Sequence, residues 1–337
     1  MNCATNDSST LLNRGMDRRG FLGASVAAGA GLLVAGSARA QAQAAANPPA
    51  AANAGQPAEA AKKKFKLKYA PTFGMLEGHA GKDLIAQLRF MAEACFSALL
   101  DGGFLGRPQE LQAKLAKEME QLGMTLAGPY CSTTIGGQSL VAGTDQQAGY
   151  AKYYQGICEQ LKRVNGKWFL VVPGGLVKGM PMEQMTANLI ENLNAIMKEV
   201  EPTWRIMTLE PLNPRDHKGL FLTKIPQAME ICKAVGSPSC KIVNDLYHQQ
   251  ITEGDLIPNI KSAWDYIAHY HLGDSPGRKE PTTGEINYRT IFKFLHEKGY
   301  QGVLGMEHGK SKGGKEGELA LLDAYRWCDA FDTPYKI

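Results

Sequence analysis

The chain has 337 residues, 44% hydrophobic and 21% charged, with 37 Lys and Arg against 33 Asp and Glu. That length suits one large domain or two small ones, and a net charge of +4 without a basic stripe gives no footprint for nucleic acid. Seven cysteines without CxxC pairing exclude a disulfide-dense scaffold and favour buried free thiols, with a disulfide as the alternative.

In chain order, MDRRGFLGAS sets Arg18 and Arg19 before an apolar, Gly/Ala-rich stretch from Phe21 to Gly36, and SARAQA offers Ala38 and Ala40 as an A-x-A cleavage site. Residues 1–40 therefore read as a twin-arginine signal peptide, the stretch falling short of the roughly 20 strongly apolar residues that span a bilayer. The expected partner is the twin-arginine export machinery, and the expected location is periplasmic or otherwise exported. Residues 41–63 are almost wholly Ala, Gln, Asn, Pro and Gly, too poor in apolar surface to offset ordering entropy, so a disordered linker is expected. A folded catalytic domain then occupies residues 64–337.

From Lys66 onward, short β-rich runs alternate with amphipathic stretches about eight times. The predicted strands are Lys66–Ala70, Ala98–Asp101, Met124–Gly128, Trp168–Val172, Arg205–Glu210, Lys241–Asp245, Tyr266–Leu272 and Gly302–Glu307. Between them apolar residues recur at three- and four-residue spacing, as in Leu84, Leu88, Met91 and Ala92, or Leu189, Leu193, Ile196 and Met197. Eight βα units in about 270 residues predict an α/β fold, the (β/α)8 TIM barrel. The competing doubly wound sheet lacks its usual GxGxxG turn, because PTFGMLEGHAGKD follows the first strand. The segment CSTTIGGQSLVAGTDQQ, Cys131 to Gln147, reads as a mobile lid or a passive surface loop.

In such a barrel the strand C-termini form the catalytic face. The last four predicted strands each end in a polar residue, Glu210, Asp245, His271 and Glu307, at intervals of 35, 26 and 36 residues. Three carboxylates and one imidazole suit a divalent ion, with Mn²⁺ or Mg²⁺ favoured and Co²⁺ or Zn²⁺ as alternatives. Taken singly, each acid could equally cap a helix. Arg278 can fork onto a carboxylate or pair with Glu280 or Glu285, and Glu285 is expected to hold the shape of its loop. Lys310 and Lys312 read as a solvated or anion-attracting rim.

The segments TLEPLN, NDLYHQQITEGDL, HLGDSPGRKEPTTGEINY and GVLGMEHG, within residues 205–310, resemble in order and spacing the hydroxypyruvate isomerases of the xylose-isomerase-like TIM-barrel superfamily. The resemblance implies one divalent metal ion at Glu210, Asp245, His271 and Glu307. It implies that Glu210 and Glu307 move a substrate proton and that His248 and Arg278 hold substrate oxygens. The expected reaction is metal-dependent aldose-ketose isomerisation of a small hydroxy-carbonyl substrate, hydroxypyruvate to tartronate semialdehyde in type. These isomerases typically carry Gln where this chain has His271, whereas related ketose 3-epimerases carry His. Ketose 3-epimerisation and an exported, non-catalytic sugar-binding barrel are thus the alternatives, with a homo-oligomer open in either case. Phosphodiester cleavage is disfavoured, because Asp101 and Tyr130 stand where further metal-binding histidines would be required.

Overall fold

The computed structural model describes residues 64–332. The signal and linker expected over residues 1–63 lie outside the described residues, as do residues 333–337.

All eight predicted strands are present, seven trimmed at their ends and the sixth starting one residue earlier: β1 (Lys68–Ala70), β2 (Ala98–Leu100), β3 (Thr125–Ala127), β4 (Trp168–Val171), β5 (Ile206–Leu209), β6 (Cys240–Asp245), β7 (Ile267–Leu272) and β8 (Val303–Met306). Parallel pairing runs continuously from β4 through β5, β6, β7 and β8 to β1. The parallel pair β2–β3 is joined to both edges by single bridges, Thr72 to Leu100 and Tyr130 to Leu170. First strand meets last, so the sheet is a closed TIM barrel and the doubly wound alternative is out.

Side-chain alternation sorts the core into two layers. Ala70, Ala98, Leu100, Ala127, Trp168 and Val303 form the inner cluster, small residues around one indole. Their strand neighbours Tyr69, Leu99, Leu126 and Phe169 belong to the larger cluster packed beneath the helices. The helix Met182–Val200 shows why the 3.6-residue period was readable, since Met185, Leu189, Leu193, Ile196, Met197 and Val200 all lie on its buried face. Each such side chain contributes about 1.5–3 kcal/mol on leaving water.

The segment read as a mobile lid or a passive surface loop is tied to the helices packed against it. It contains an antiparallel hairpin, Thr134–Ile135 with Gln138–Ser139. The buried amide of Asn192 donates to Leu140 O (2.7 Å) and Gly143 O (2.8 Å), and Asn188 donates to Val141 O (3.0 Å). Tyr150 and Tyr154 hydroxyls hold Gln138 O and Ser132 O. These carbonyls are satisfied by side chains of the helix that follows and of the helix Met182–Val200.

No disulfide links the six cysteines among the described residues; Cys232 and Cys240 bring their sulfurs within 3.9 Å inside the core. No helix among the described residues is long and apolar enough to cross a membrane.

Candidate active site

Glu210 directly follows β5, Asp245 ends β6, His271 is the penultimate residue of β7 and Glu307 directly follows β8. Four consecutive parallel strands deliver these side chains to one rim, and their ligand atoms all lie within 4.8 Å of one another. His271 Nδ1 is 3.3 Å from Glu210 Oε1 and 3.0 Å from Glu307 Oε2. Arg278 Nη2 joins Asp245 Oδ2 (2.8 Å) to Glu307 Oε2 (2.7 Å). This is a group of the kind that holds a metal ion, with three carboxylates balanced by cationic neighbours.

Asp245 serves two ends at once. Its Oδ1 caps the helix Leu246–Thr252 by accepting from Tyr247 N and His248 N, while Oδ2 faces the cluster. The helix cap and the candidate ligand are therefore the same residue. The capped turn places His248 3.5 Å from Asp245 Oδ2 through Nε2. His248 Nδ1 accepts from the Asn213 backbone N–H (3.3 Å) and lies 2.7 Å from its side-chain amide. That bond sets the tautomer, leaving Nε2 protonated in the neutral ring. Burial holds His248 below its ordinary pKa.

Space for the imidazole of His271 depends on Gly305 in β8. A Cβ at that position would sit 2.9 Å from His271 Cδ2 and 3.1 Å from Leu100 Cδ2. His269, two residues earlier on the same inward face, packs beside Trp168 and is kept neutral by burial.

The carboxylates are unequal. Burial pushes Glu210 up to about 7, with the Glu307 charge adding to the rise and His271 opposing it. Burial also opposes ionisation of Glu307, but His271 and Arg278 outweigh it and hold that carboxyl well below the usual range. His271 is raised to about 10, its burial overcome by the two glutamates.

The loop carrying Arg278 is built on Asp274, fully buried, whose Oδ1 accepts from Ser275 N (2.9 Å) and Ile286 N (3.0 Å) and whose Oδ2 accepts from Gly284 N (2.9 Å). Gly284 is obligatory, because a Cβ there would run into Ser275 O and Asp274 Oδ1. Arg278 adopts φ 50°, with its N–H bonded to Asp274 O and its carbonyl accepting from Gly309 N. Its Cζ lies 4.9 Å over the Tyr247 ring.

One alternative in this region is set aside and two expectations are corrected. Arg278 does not pair with Glu280 or Glu285; Glu280 instead accepts from the Ser311 backbone N–H and hydroxyl. Glu285 does not hold the loop: it is exposed and accepts from Gln250, and the strut is Asp274. Lys310 is no rim charge, since it donates to Met75 O and to buried Glu318. The difference arises because a buried carboxylate recruits whatever donors the fold brings near, regardless of sequence distance.

Two further residues reach the site. Tyr130, just beyond β3, lines the mouth together with Glu210 and Glu307. His217, in the segment after β5, stacks edge-on against His248 at 5.2 Å and lines the same cavity as Arg278. Tyr130 was legible as a strand-end residue; nothing in the spacing marked His217. Asp101, at the end of β2, is taken up by Arg107 at 2.6 Å.

A family model described as xylose isomerase-like TIM barrel matches residues 92–331. Hydroxypyruvate isomerase of Escherichia coli (strain K12) is 38% identical over 152 residues, 44% of this chain and 57% of that protein. The 2-oxo-tetronate isomerase of Cupriavidus necator is 34% identical over 139 residues, 41% of this chain and 53% of that protein. The chain thus matches little more than half the length of these relatives. A crystal structure titled AP endonuclease, family 2, from Brucella melitensis superposes with a TM-score of 0.66 at 23% identity, covering 77% of this chain and 99% of that one. At that identity the likeness concerns the fold.

Proposed function

The chain belongs to the xylose isomerase-like TIM-barrel family, and from that premise we propose that it isomerises a small α-hydroxy-carbonyl acid of the hydroxypyruvate type. The observation that carries the proposal is the meeting of Glu210, Asp245, His271 and Glu307 within 4.8 Å at one strand-end rim.

The donor set fits a divalent ion. Oxygen donors with one imidazole favour Mn²⁺ or Mg²⁺, with Co²⁺ or Zn²⁺ as alternatives. Glu210, Asp245, His271 and Glu307 would hold it, and when bound it supplies Lewis-acid polarisation of the substrate carbonyl.

The remaining work falls to side chains. Isomerisation removes a proton from the carbon beside the carbonyl and returns one to the neighbouring carbon. Glu210 and Glu307, which meet His271 Nδ1 at 3.3 and 3.0 Å, are placed so that one takes the proton and the other returns it. His248 offers Nε2–H to a substrate oxygen, its ring fixed by Asn213. Arg278, whose Nε and Nη2 already donate to Glu307 and Asp245, brings a fixed positive charge to the cavity for the carboxylate end.

The test is proton exchange from D₂O into hydroxypyruvate and related hydroxy-carbonyl acids, with metal analysis of the same sample. Glu210→Gln and Glu307→Gln are each expected to lose about 10²–10⁴-fold in turnover. Normal turnover in both variants, or no exchange by protein holding a stoichiometric ion, would sink the proposal. Ketose 3-epimerisation is the second reading, favoured by His271, and is checked by exchange at C3 of ketoses. Export belongs to the same proposal and rests on the sequence of residues 1–40 alone. Replacing Arg18 and Arg19 with Lys should leave the protein in the cytoplasm.

A further inference from the structure

The barrel mouth holds two chambers that meet at the glutamates. The inner one, about 210 Å³, is walled by Leu100, Gly102, Gly128 and Leu170 above the apolar floor of the barrel. The outer one, about 330 Å³, carries His217, His248 and Arg278. Glu210, Glu307 and Tyr130 line both.

The chambers differ in lining. The guanidinium of Arg278 lies only in the outer one, with His217 and His248, whereas the inner one adds Thr72, His271, two leucines and two glycines to the glutamates. Arg278 therefore draws the carboxylate of an entering acid outward, and the rest of the chain points inward. The reacting carbons then lie between Glu210 and Glu307.

Tyr130 stands apart from those glutamates in origin and surroundings. The candidate ligands come from β5 to β8, while Tyr130 follows β3, which lies across the ring from β7. Its backbone is fixed, with N–H donating to Gly102 O (2.9 Å) and a parallel bridge to Leu170. The residue is nonetheless 50% exposed. Its side chain is thus a movable wall on a rigid base, and the one aromatic lining both chambers.

We propose that Tyr130 is the specificity-determining residue of this site. Its ring narrows the passage between the chambers, so that a short acid reaches the glutamates while the tail of a longer sugar acid is kept out of the smaller inner one. This deepens the isomerase reading and rests on it for the orientation of the acid.

The experiment compares wild type with Tyr130→Ala and Tyr130→Trp in two arms. In the first, kcat/KM is measured on hydroxypyruvate, on a four-carbon 2-oxo acid and on a six-carbon 2-oxo sugar acid. In the second, Kd is measured by calorimetry for glycerate, erythronate and gluconate, which lack the reacting carbonyl, on the same protein supplied with Mn²⁺. Tyr130→Ala is expected to shift the six- to three-carbon ratio at least about tenfold toward the longer acid in both arms, the scale on which a shaped pocket discriminates one methylene. Tyr130→Trp is expected to shift the four- to three-carbon ratio the other way. Ratios that stay within about twofold in both variants overturn the proposal, on the same discrimination scale. If the wild type turns over no acid, the isomerase reading falls, and the Kd ratios alone then decide the role of Tyr130. Because only its backbone is tied into the sheet, the Ala variant should melt with the wild type.

Discussion

Replacing Asp274 with Ala removes the strut of the loop that holds Arg278. The carboxylate accepts three backbone N–H groups, from Ser275, Gly284 and Ile286, at 2.9 to 3.0 Å. Hydrogen bonds to a charged group contribute about 1.5–3 kcal/mol each. Burial pushes the Asp274 carboxyl up against the pull of these donors, and Gly284 is exposed enough for water to replace one bond. The low end applies, so the expected loss is roughly 3–5 kcal/mol, on the order of 10 °C in Tm for a domain of this size. Freed from its strut, Arg278 should leave Asp245 and Glu307, and KM for the acid substrate should rise. Asp274→Asn should fall between, because Oδ1 can keep Ser275 and Ile286 while its amide opposes the Gly284 N–H. Thermal unfolding and steady-state kinetics on the three proteins check this. An Ala variant that melts with the wild type and keeps its KM would refute the reasoning.

Glu318→Ala strips a buried carboxylate from Gly78 N (2.7 Å), His79 N (3.0 Å), His79 Nδ1 (2.5 Å) and Lys310 Nζ (3.2 Å). Leaving the Gly78 and His79 donors unpaired, while Lys310 keeps Met75 O, should cost about 3–5 kcal/mol, read as a lower urea midpoint at unchanged slope. Gly305→Ala forces a methyl group against His271 and Leu100, expected to cost about 1–3 kcal/mol and to weaken Mn²⁺ binding measured by calorimetry. His308 is held down to about 4 by burial, its Nε2 2.7 Å from the Tyr325 hydroxyl. The unfolded chain therefore binds that proton first. Its stability contribution is complete above the unfolded value, about 6.5, and is lost as pH falls toward about 4. Equilibrium unfolding between these limits should lose one proton's worth of pH slope in His308→Asn, and an unchanged slope would contradict this assignment.

Local chemistry was enough to place the eight strands, because a parallel strand buried on both faces, such as Trp168–Val171, must be apolar at every position. It was also enough to find Glu210, Asp245, His271 and Glu307, since a closed barrel brings successive strand ends to one rim. The two readings of Asp245 proved compatible, as its two oxygens divide between capping and cluster. What depended on through-space contact was not legible. The segment after Cys131 was read from its polar composition, yet its carbonyls are met by Asn188 and Asn192, at separations of 47 to 52 residues.

The segment HLGDSPGRKEPTTGEINY shows the same division within one motif. Its sequence by itself determined that a strand runs into a Gly- and Pro-rich loop beside a candidate ligand. Only the tertiary structure decided that Asp274, and not Glu285, holds the loop, and that Arg278 turns toward Asp245 and Glu307 and away from its sequence neighbours. Spacing along a strand sets which face a residue occupies, whereas a charged side chain's partner is set by burial and by which distant donors or acceptors arrive there.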